Sequence, residues 1–306
     1  MQVDGLTFPF AVVLRQVTRL WWLPQTPRER LARLFFKPER QKGHPFRIRR
    51  RGGAYLGDFG SYLDWRVFFL GDSERESQNL CLMLAAHAGG RCFADIGANK
   101  GLYTVVLAKA YSRVIAFEPD PAIREQLNTL IAANRLTNVS VRDVALGEQA
   151  GEATFYAAAG PNRGVGSLLP INEGAQFTVP VRTGDEVFAD TPVGMIKLDV
   201  EGFEAMVLAG MRRTLHRDRP FLLMEIGDTS KGPILEHGGL GALLPPDYSI
   251  FEVSDHTTAP KFFLRPLSEA QVLERRISNN LLCPKEKVGL LERHVRRSPG
   301  SPRLPT

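Results

Sequence analysis

Residues 93–104 read FADIGANKGLYT. An apolar stretch leads into the carboxylate of Asp95, then into a bend of small residues, and then into a helical pattern. A short strand that ends in a glycine turn before a helix is typical of α/β folds that bind nucleotide-like ligands. The spacing is Gly97-x-x-x-Gly101, which matches neither the dinucleotide motif G-x-G-x-x-G nor the phosphate loop G-x-x-x-x-G-K-[ST]. The stretch therefore predicts the fold class and leaves the ligand open.

Short apolar runs alternate with helical patterns from residue 91 to residue 284. Strands are predicted at residues 91–96, 113–118, 139–144, 194–199, 220–226, 248–253 and 280–284. Helices are predicted at residues 103–110, 121–135, 203–215 and 233–243, and additional β or loop structure at residues 152–182. A repeated β-α-β order predicts a mostly parallel, doubly wound sheet. Functional residues are expected where its strands end.

The formal net charge of +6 is unevenly distributed along the 306 residues. Residues 1–51 carry a net charge of +9 and residues 285–306 a net charge of +4, which leaves −7 for residues 52–284. A cleft that tracks phosphate groups needs positive charge on the domain that contains it. The acidic central region therefore argues against a nucleic acid as substrate or partner.

The N-terminal region has the pattern of a basic amphipathic helix. From Phe10 to Trp21, apolar residues recur at helical spacing with arginines between them, and a second short helix is predicted at residues 28–36. Such a helix suits peripheral contact with an anionic membrane, or packing on its own domain or on a partner subunit. Residues 8–14 form the longest apolar run nearby, and a membrane span needs ~20 residues.

These patterns predict four parts of the chain. They are a basic helical extension over residues 1–51, a segment over 52–90 that packs on the core, a main α/β domain over 91–290 and a disordered basic tail over 291–306. Cys81, Cys92 and Cys283 lack the spacing of metal ligands, and no secretory leader is evident. We therefore expect buried thiols and a cytoplasmic location.

The second predicted strand ends at Phe117-Glu118-Pro119-Asp120. Glu118 follows Gly97 by 21 positions, the distance at which a strand-end carboxylate meets a ribose diol in nucleotide-binding α/β folds. A carboxylate can accept hydrogen bonds from both vicinal hydroxyls. The pattern predicts a ribose site but does not separate NAD from S-adenosylmethionine.

Asp95 distinguishes between these two cofactors. It lies two residues before Gly97, where a carboxylate would repel a pyrophosphate. S-adenosylmethionine has no phosphate and carries a sulfonium and an α-ammonium group, so an acid beside the turn favours it. In the alternative interpretation, Asp95 only caps the turn through hydrogen bonds to the backbone.

The fourth predicted strand runs into the segment IKLDVEGFE at residues 196–204. Side chains alternate along a strand, so Lys197, Asp199 and Glu201 are expected on one face. Three ionisable groups at a strand end indicate a pocket, whereas Glu204 is explained by the dipole of the next helix. The open alternative is a structural ion pair between Lys197 and Asp199 or Glu225.

Several segments resemble the FkbM family of S-adenosylmethionine-dependent methyltransferases. They read DIGANKGLYT, AFEPDP, VALGEQAGEATFY, GVGSLLP, IKLDVEGFEAMVLAGM, RPFLLMEI and NLLCPKE, of which IKLDVEGFE is the most specific. With the similar upstream stretch GSYLDWRVFFLGDSERESQNLCLMLAAHAGG, the resemblance covers residues 53–284. It implies a class I (Rossmann-like) methyltransferase domain at residues 91–290, with a seven-stranded, mostly parallel sheet that has a reversed hairpin near its end.

The resemblance also implies which residues bind the cofactor. Those in the loop that matches the family's methionine-side loop are Asp95, Gly97, Ala98, Asn99 and Gly101. Glu118, followed by Pro119, matches the ribose carboxylate, and the stretch from Asp143 to Ala145 falls where the adenine edge is usually read. Lys100 stands where the family often has an apolar residue, and its role is left open.

The implied reaction is O-methylation of a hydroxyl group on a sugar, glycan or natural product. An alcohol is a poor nucleophile, so a base must take its proton as the C–O bond forms. We predict Asp199 or Glu201 as this base, with Lys197 tuning its pKa. In a second version, Asp199 and Glu225 hold Mg²⁺.

Two other activities are the alternatives. A nicotinamide-dependent oxidoreductase is disfavoured by the glycine spacing and by Asp95. A methyltransferase that acts on the exocyclic amines of nucleic acids usually has an Asn/Asp-Pro-Pro-aromatic turn after the fourth strand, where this chain has Asp199-Val-Glu-Gly.

Overall fold

The computed structural model describes residues 8–20, 25–40, 43–51, 53–71, 74–89, 91–160, 164–171, 173–253 and 264–294. The helices are α1 Phe8–Thr18, α2 Gln25–Phe35, α3 Tyr62–Phe69, α4 Arg75–Ala85, α5 Leu102–Leu107, α6 Pro121–Ala133, α7 Gly184–Val187, α8 Glu204–Ala209, α9 Arg212–Asp218, α10 Asp228–Glu236, α11 Leu240–Leu243 and α12 Glu269–Leu273. The strands are β1 Pro45–Arg50, β2 Gly53–Asp58, β3 Cys92–Ile96, β4 Val114–Phe117, β5 Val139–Arg142, β6 Ala145–Leu146, β7 Gly151–Tyr156, β8 Gln176–Arg182, β9 Val193–Leu198, β10 Phe221–Gly227, β11 Tyr248–Val253, β12 Leu264–Leu267 and β13 Ile277–Pro284. Two 3₁₀ segments lie at Pro38–Arg40 and Lys285–His294.

The central sheet has the order β12-β11-β13-β10-β9-β3-β4-β5 among the described residues. Strands β3, β4, β5, β9 and β10 are parallel neighbours, whereas β13 runs antiparallel between β10 and β11. This is the predicted doubly wound sheet with its reversed hairpin, and the fold class is confirmed. Seven strands were expected, and the described sheet has eight, because β12 pairs antiparallel with β11 at the edge.

Both faces of this sheet are buried. Ala94 and Ile96 of β3 belong to an apolar cluster with α8, α9 and α10, whereas Phe93 belongs to a second cluster with α4 and α5. Strands that are covered on both sides carry apolar residues at nearly every position, which is why they appear in the sequence as short apolar runs. Cys81, Cys92 and Cys283 are buried free thiols in these clusters, as predicted.

Residues 152–182 contribute to a second, three-stranded sheet of order β6-β8-β7, as the prediction of additional β structure required. The helix predicted over residues 203–215 is instead two helices, α8 and α9, that meet at Gly210. A Cβ at Gly210 would collide with the carbonyl oxygen of Gly147. The helix predicted at 233–243 begins earlier, at Asp228, and is also two helices, α10 and α11.

The N-terminal elements pack on the main domain through an aromatic cluster. Its buried members include Phe36, Phe46, Phe59, Trp65 and Phe69, and it extends to Val105 of α5 and Leu130 of α6. The predicted division after residue 51 falls between β1 and β2, which pair as antiparallel neighbours, and both strands contribute to this cluster. The four-part division itself stays a prediction.

Lys100 connects the segment before residue 91 to the glycine turn. Its ammonium group donates hydrogen bonds to Ser61 Oγ at 2.9 Å and to Asp64 Oδ2 at 2.7 Å, and the latter contact is a buried ion pair. Asp64 also accepts hydrogen bonds from the hydroxyl of Tyr55 at 2.6 Å and from the backbone N–H of Asp58 at 3.0 Å. The Lys100 side chain is therefore buried between the glycine turn and α3 and does not point into solvent.

The ends of the chain are described in part. Leu291 is buried within the 3₁₀ segment Lys285–His294, so ordered structure continues past residue 290, where the tail was predicted to begin. Residues 295–306, and Trp21 at the end of the first predicted helix, lie outside the described residues. No helix in the described ranges is long and apolar enough to cross a membrane.

We expect Lys100→Met to lower the free energy of unfolding by about 3 kcal/mol, because it leaves the buried carboxylate of Asp64 without its cation. Urea-induced unfolding followed by circular dichroism measures this change. Lys109→Met is the matched control on an exposed lysine and should change the free energy by less than about 0.5 kcal/mol. Equal unfolding midpoints for the two variants would contradict the role of the ion pair.

Candidate functional site

The turn after β3 is tightly packed against its neighbours. Gly97 has φ +77°, and a Cβ there would collide with the backbone carbonyl oxygen of Asp199 at the end of β9. Gly101 has φ +85° and faces Leu127 of α6, whereas Asn99 adopts φ +51° between the two glycines. The glycines thus allow the turn to lie directly on β9 and α6, and the predicted loop lies at the sheet edge where ligands bind.

Glu118 follows β4 and is buried beside this turn. Its Oε2 accepts a hydrogen bond from the backbone N–H of Asn99 at 2.8 Å, and its Oε1 accepts one from Asp120 at 3.0 Å. Burial raises the pKa of Glu118 to about 7 despite these two bonds. The carboxylate is therefore held in place by the backbone of two strand-end turns.

A cleft opens from Glu118 along the carboxyl ends of the strands. It encloses about 1080 Å³ of space, part of which is open to solvent. Its apolar walls include Phe117, Ile123, Val144, Leu146, Phe155, Leu168 and Phe203, and its polar lining includes Asn99, Glu118 and Asp120. A mostly apolar cleft with a few convergent polar groups is typical of a site for a small molecule or cofactor.

The structure brings together only some of the predicted cofactor residues. Gly97, Asn99, Glu118, Pro119 and Ala145 line the cleft. Ala98 and Gly101 shape the turn behind it, and Asp143 is exposed to solvent. Of the stretch from Asp143 to Ala145, where the adenine edge is expected, Val144 and Ala145 line the cleft together with Leu146, and Asp143 does not. The contact with adenine itself stays a prediction.

Asp95 lies behind the turn, fully buried, and is not among the residues that line the cleft. Its Oδ2 accepts a hydrogen bond from Thr104 Oγ1 at 2.5 Å, and its Oδ1 has no hydrogen-bond partner. Burial raises the pKa of Asp95. The positive charge of Lys197, its neighbour in the β3–β9 register, opposes this increase only in part. Asp95 thus lies beside the glycine turn but outside the lining of the cleft, and its contact with the cofactor's ammonium group stays a prediction.

Lys197 is buried where β9 meets the glycine turn. It donates hydrogen bonds to the carbonyl of Gly97 at 3.1 Å and to Asp199 Oδ2 at 2.8 Å. Burial by itself lowers the pKa of Lys197, but the carboxylates of Asp199 and Asp95 raise it above its ordinary value. The structural ion pair that was left open is therefore present, and its partner is Asp199 rather than Glu225.

Acidic side chains surround the far end of the cleft. Asp199, Glu201 and Glu225 line the cleft and also an adjoining cavity whose wall includes Asp228. Burial and the charge of Asp199 raise the pKa of Glu201 to about 7 and that of Glu225 to about 9. These carboxyl groups therefore hold protons at a pH where ordinary carboxyl groups are ionised.

Hydrogen bonds hold the backbone turn that contains Glu201. This residue has φ +54°, an uncommon conformation for a residue other than glycine. Its carbonyl accepts a hydrogen bond from Ser167 Oγ at 2.9 Å. Glu204 Oε1 accepts from the backbone N–H groups of Val200 at 3.0 Å and Gly202 at 3.2 Å, so Glu204 closes the turn around Glu201 in addition to lying in the first turn of α8.

Sequence reasoning missed two parts of the cleft. Glu74, the residue before α4, lines the cleft and accepts a hydrogen bond from the hydroxyl of Tyr103 at 2.7 Å. Residues 164–168, which lie between β7 and β8, form another part of the wall. Both lie in stretches that were noted only for the family resemblance, Glu74 in the upstream stretch over residues 60–90 and residues 164–168 in GVGSLLP, and neither was assigned to the site.

Metal ligation by Asp199 and Glu225 is not tested by these contacts. Across the described residues, no group of three or more His, Cys, Asp or Glu side chains is placed to hold a metal ion. The magnesium version stays a prediction.

The sheet order, with its reversed β13 and its cleft at the strand ends, is that of a class I methyltransferase. Residues 95–241 match the family model for the Methyltransferase FkbM domain. The resemblance seen in the motifs is confirmed, and the chain carries an FkbM methyltransferase domain. A search of the curated proteins finds no match to this chain.

Comparison with solved structures returns other methyltransferases. The FkbM methyltransferase from Methylobacillus flagellatus KT is 18% identical, with 89% of this chain covered and a TM-score of 0.41, and this chain spans 58% of its length. An rRNA methylase from Streptococcus thermophilus is 13% identical, with 69% of this chain and 96% of that chain covered and a TM-score of 0.41. The tRNA (uracil-54, C5)-methyltransferase from Pyrococcus abyssi, in complex with S-adenosyl-L-homocysteine, is 12% identical. The match covers 78% of this chain and 43% of that chain, with a TM-score of 0.39.

The raised pKa of Glu225 predicts that stability falls with rising pH. A carboxyl group whose pKa is higher in the folded than in the unfolded chain makes the folded chain bind more protons, so the free energy of unfolding decreases from about pH 4.5 to about pH 9. Glu225→Gln removes this contribution. We expect the variant to be close to the wild type at pH 5 and to be the more stable of the two at pH 9, with a difference that grows by up to about 1.4 kcal/mol for each pH unit between these values.

Chemical denaturation at both pH values measures the difference. Glu125→Gln, on the exposed face of α6, is the control and should leave the pH profile unchanged. A Glu225→Gln variant that is less stable than the wild type at pH 9 would show that the ionised carboxylate is stabilised, contrary to this expectation.

Proposed function

We propose that the chain binds S-adenosylmethionine in the cleft and transfers its methyl group to a hydroxyl group of a sugar, glycan or other small polyhydroxylated molecule. The observation that carries the proposal is the continuity of the cleft, which runs from Glu118 and the glycine turn to Asp199 and Glu201. A ribose-binding acid and a candidate base thus share one space, within a domain that matches a methyltransferase family.

The residues around Glu118 suit this cofactor. A carboxylate has about four acceptor positions, and one backbone N–H occupies a position on each oxygen of Glu118. Each oxygen thus keeps a position for one of the two ribose hydroxyls. The apolar walls from Phe117 to Leu146 suit an adenine ring, and the bound cofactor would supply an electrophilic methyl group on its sulfonium.

Glu201 is our candidate for the general base. An acceptor hydroxyl must lose its proton as the new C–O bond forms, and a base works best when its pKa is close to the working pH. The pKa of Glu201 is raised to about 7, whereas Asp199 is occupied by its ion pair with Lys197. We infer that Glu201 takes the proton and that Asp199, fixed by Lys197, orients the acceptor.

The charge of the cleft supports the choice of acceptor class. Glu74, Asp199, Glu201 and Glu225 line the part beyond the glycine turn, and the adjoining cavity adds Asp228. Phosphate or carboxylate groups would be repelled by those of the acids that are ionised, whereas hydroxyl and amino groups would find hydrogen-bond partners there. This favours a neutral or amino-bearing polyol over a nucleic acid.

Magnesium is the remaining variant of the mechanism. Asp199 directly follows β9, and Glu225 lies near the end of the neighbouring strand β10. Both carboxylates offer the oxygen ligands that Mg²⁺ prefers. Methyl transfer that stops with EDTA and returns with Mg²⁺ would favour this version, and indifference to EDTA would remove it.

Glu118→Gln should raise the dissociation constant of S-adenosylmethionine about 10- to 100-fold. The amide replaces one acceptor oxygen by an NH₂ group, which cannot accept the hydrogen bond that a backbone N–H or a ribose hydroxyl donates to the carboxylate. Isothermal titration calorimetry measures the change, and the wild-type affinity should increase as the pH rises through about 7. Asp143→Asn is the control and should leave the affinity unchanged. A wild-type chain that binds NAD⁺ but not S-adenosylmethionine would overturn the cofactor assignment.

Glu201→Gln should lower kcat by about 10²- to 10⁴-fold while the dissociation constant of S-adenosylmethionine stays within about threefold. Radiolabelled methyl transfer to a panel of sugars, extracted glycans, lipids and RNA identifies the acceptor and then measures kcat. Asp199→Asn should also lower kcat, and it should disturb Lys197 in addition. Near-normal kcat in both variants would show that neither acid is the base, and labelled RNA as the sole product would refute the acceptor class.

A further inference from the structure

The first helix presents an apolar stripe to solvent. Its buried side carries Ala11, Leu14 and Thr18, which pack on the domain. The neighbouring side carries a second set of apolar residues at helical spacing, and these are exposed: Phe10, Val13, Val17 and, just beyond the helix, Leu20. Val13 retains 61% of its accessible surface, so the stripe is not explained by packing within the described chain.

The end of α2 extends this stripe. The ring of Phe10 contacts the ring of Phe35 edge to face, with 5.1 Å between their centroids. Leu34 beside it is 71% exposed, and Phe35 is 50% exposed. We call the six residues the α1–α2 patch: Phe10, Val13, Val17, Leu20, Leu34 and Phe35. A contiguous exposed apolar patch of this kind marks an interaction surface.

The segment that contains the α1–α2 patch is basic. Residues 1–51 carry a net charge of +9, whereas residues 52–284 carry −7. On α2, Arg30 lies one turn before Leu34, and Lys37 follows within another turn; both are exposed. Of the two acids in this region of the described chain, Glu39 pairs with Arg33, and Glu29 accepts a hydrogen bond from Tyr62.

We propose that the α1–α2 patch docks this protein on the surface of an anionic phospholipid bilayer. Helices that bind membrane surfaces combine an apolar face, which enters the boundary between headgroups and acyl chains, with flanking Lys and Arg residues that pair with anionic lipids. Both features are present on α1 and α2. Neither helix spans the bilayer, so the contact is peripheral and reversible.

Charge selects lipid over a second copy of this chain. A symmetric contact through the α1–α2 patch would bring the exposed Arg30 and Lys37 of two copies towards each other, and like charges across an interface are unfavourable. An anionic bilayer supplies the opposite charge over the whole patch. The proposal is independent of the cofactor cleft, so vesicle binding and methyl transfer are expected to succeed or fail separately.

Flotation with lipid vesicles tests the proposal on the full chain. We expect binding to vesicles of phosphatidylcholine and phosphatidylserine at roughly two to one, little binding to phosphatidylcholine alone, and weaker binding at high salt. The combined substitution Val13→Ser, Val17→Ser and Leu34→Ser should weaken binding by about tenfold or more, because it removes exposed apolar contacts. Arg30→Glu with Lys37→Glu should weaken binding to the anionic vesicles as well.

Leu235→Ser is the matched control, because Leu235 on α10 is also an exposed apolar residue, at 60%. It should leave vesicle binding unchanged, and thermal unfolding should show that all variants fold. A wild-type chain that does not float with anionic vesicles would overturn the proposal, as would a triple-serine variant that binds like the wild type. A dimer in sedimentation that the triple-serine variant converts to a monomer would also overturn it and identify the patch as an interface between copies.

Discussion

The buried ammonium group of Lys197 holds together the two strand ends on which the cleft is built. Its hydrogen bonds to the carbonyl of Gly97 and to the carboxylate of Asp199 connect the turn after β3 with the end of β9. Gly97 has no room for a side chain, because the carbonyl of Asp199 lies against it. The cofactor side and the acidic side of the cleft thus share one contact, so a displacement of either strand end would disturb both.

The acidic end of the cleft is a place where stability and function conflict. Burial and the charge of Asp199 raise the pKa of Glu201 and of Glu225, which means that ionising them opposes folding. Perturbed carboxyl groups of this kind are concentrated at functional sites. Lys197 compensates Asp199, and a positively charged or hydroxyl-rich ligand would relieve the repulsion among the other carboxylates.

The segment before residue 91 is part of this site. Lys100, in the glycine turn, pairs with Asp64 of α3, and Glu74 contributes to the wall of the cleft. The sequence motif predicted the turn but not the role of Lys100, because its partner is 36 residues away and no local pattern joins the two. Glu74 was missed for the same reason, since its place in the cleft depends on how α4 packs on the sheet.

The sequence by itself determined the order of the main strands and helices and the location of Glu118, the acid that we propose for the ribose, because apolar periodicity and the 21-residue spacing from Gly97 to Glu118 are local properties of the chain. It also predicted the contact between Lys197 and Asp199, because alternate side chains along an extended chain share a face, whereas Glu201 follows the end of β9 in a turn with φ +54° that alternation does not describe. Only the tertiary structure decided which acids face the cleft. Asp95 and Glu118 both lie at strand ends, yet β9 and Thr104 enclose Asp95 while Glu118 stays at the cleft, and this difference arises from contacts between elements that are distant in sequence.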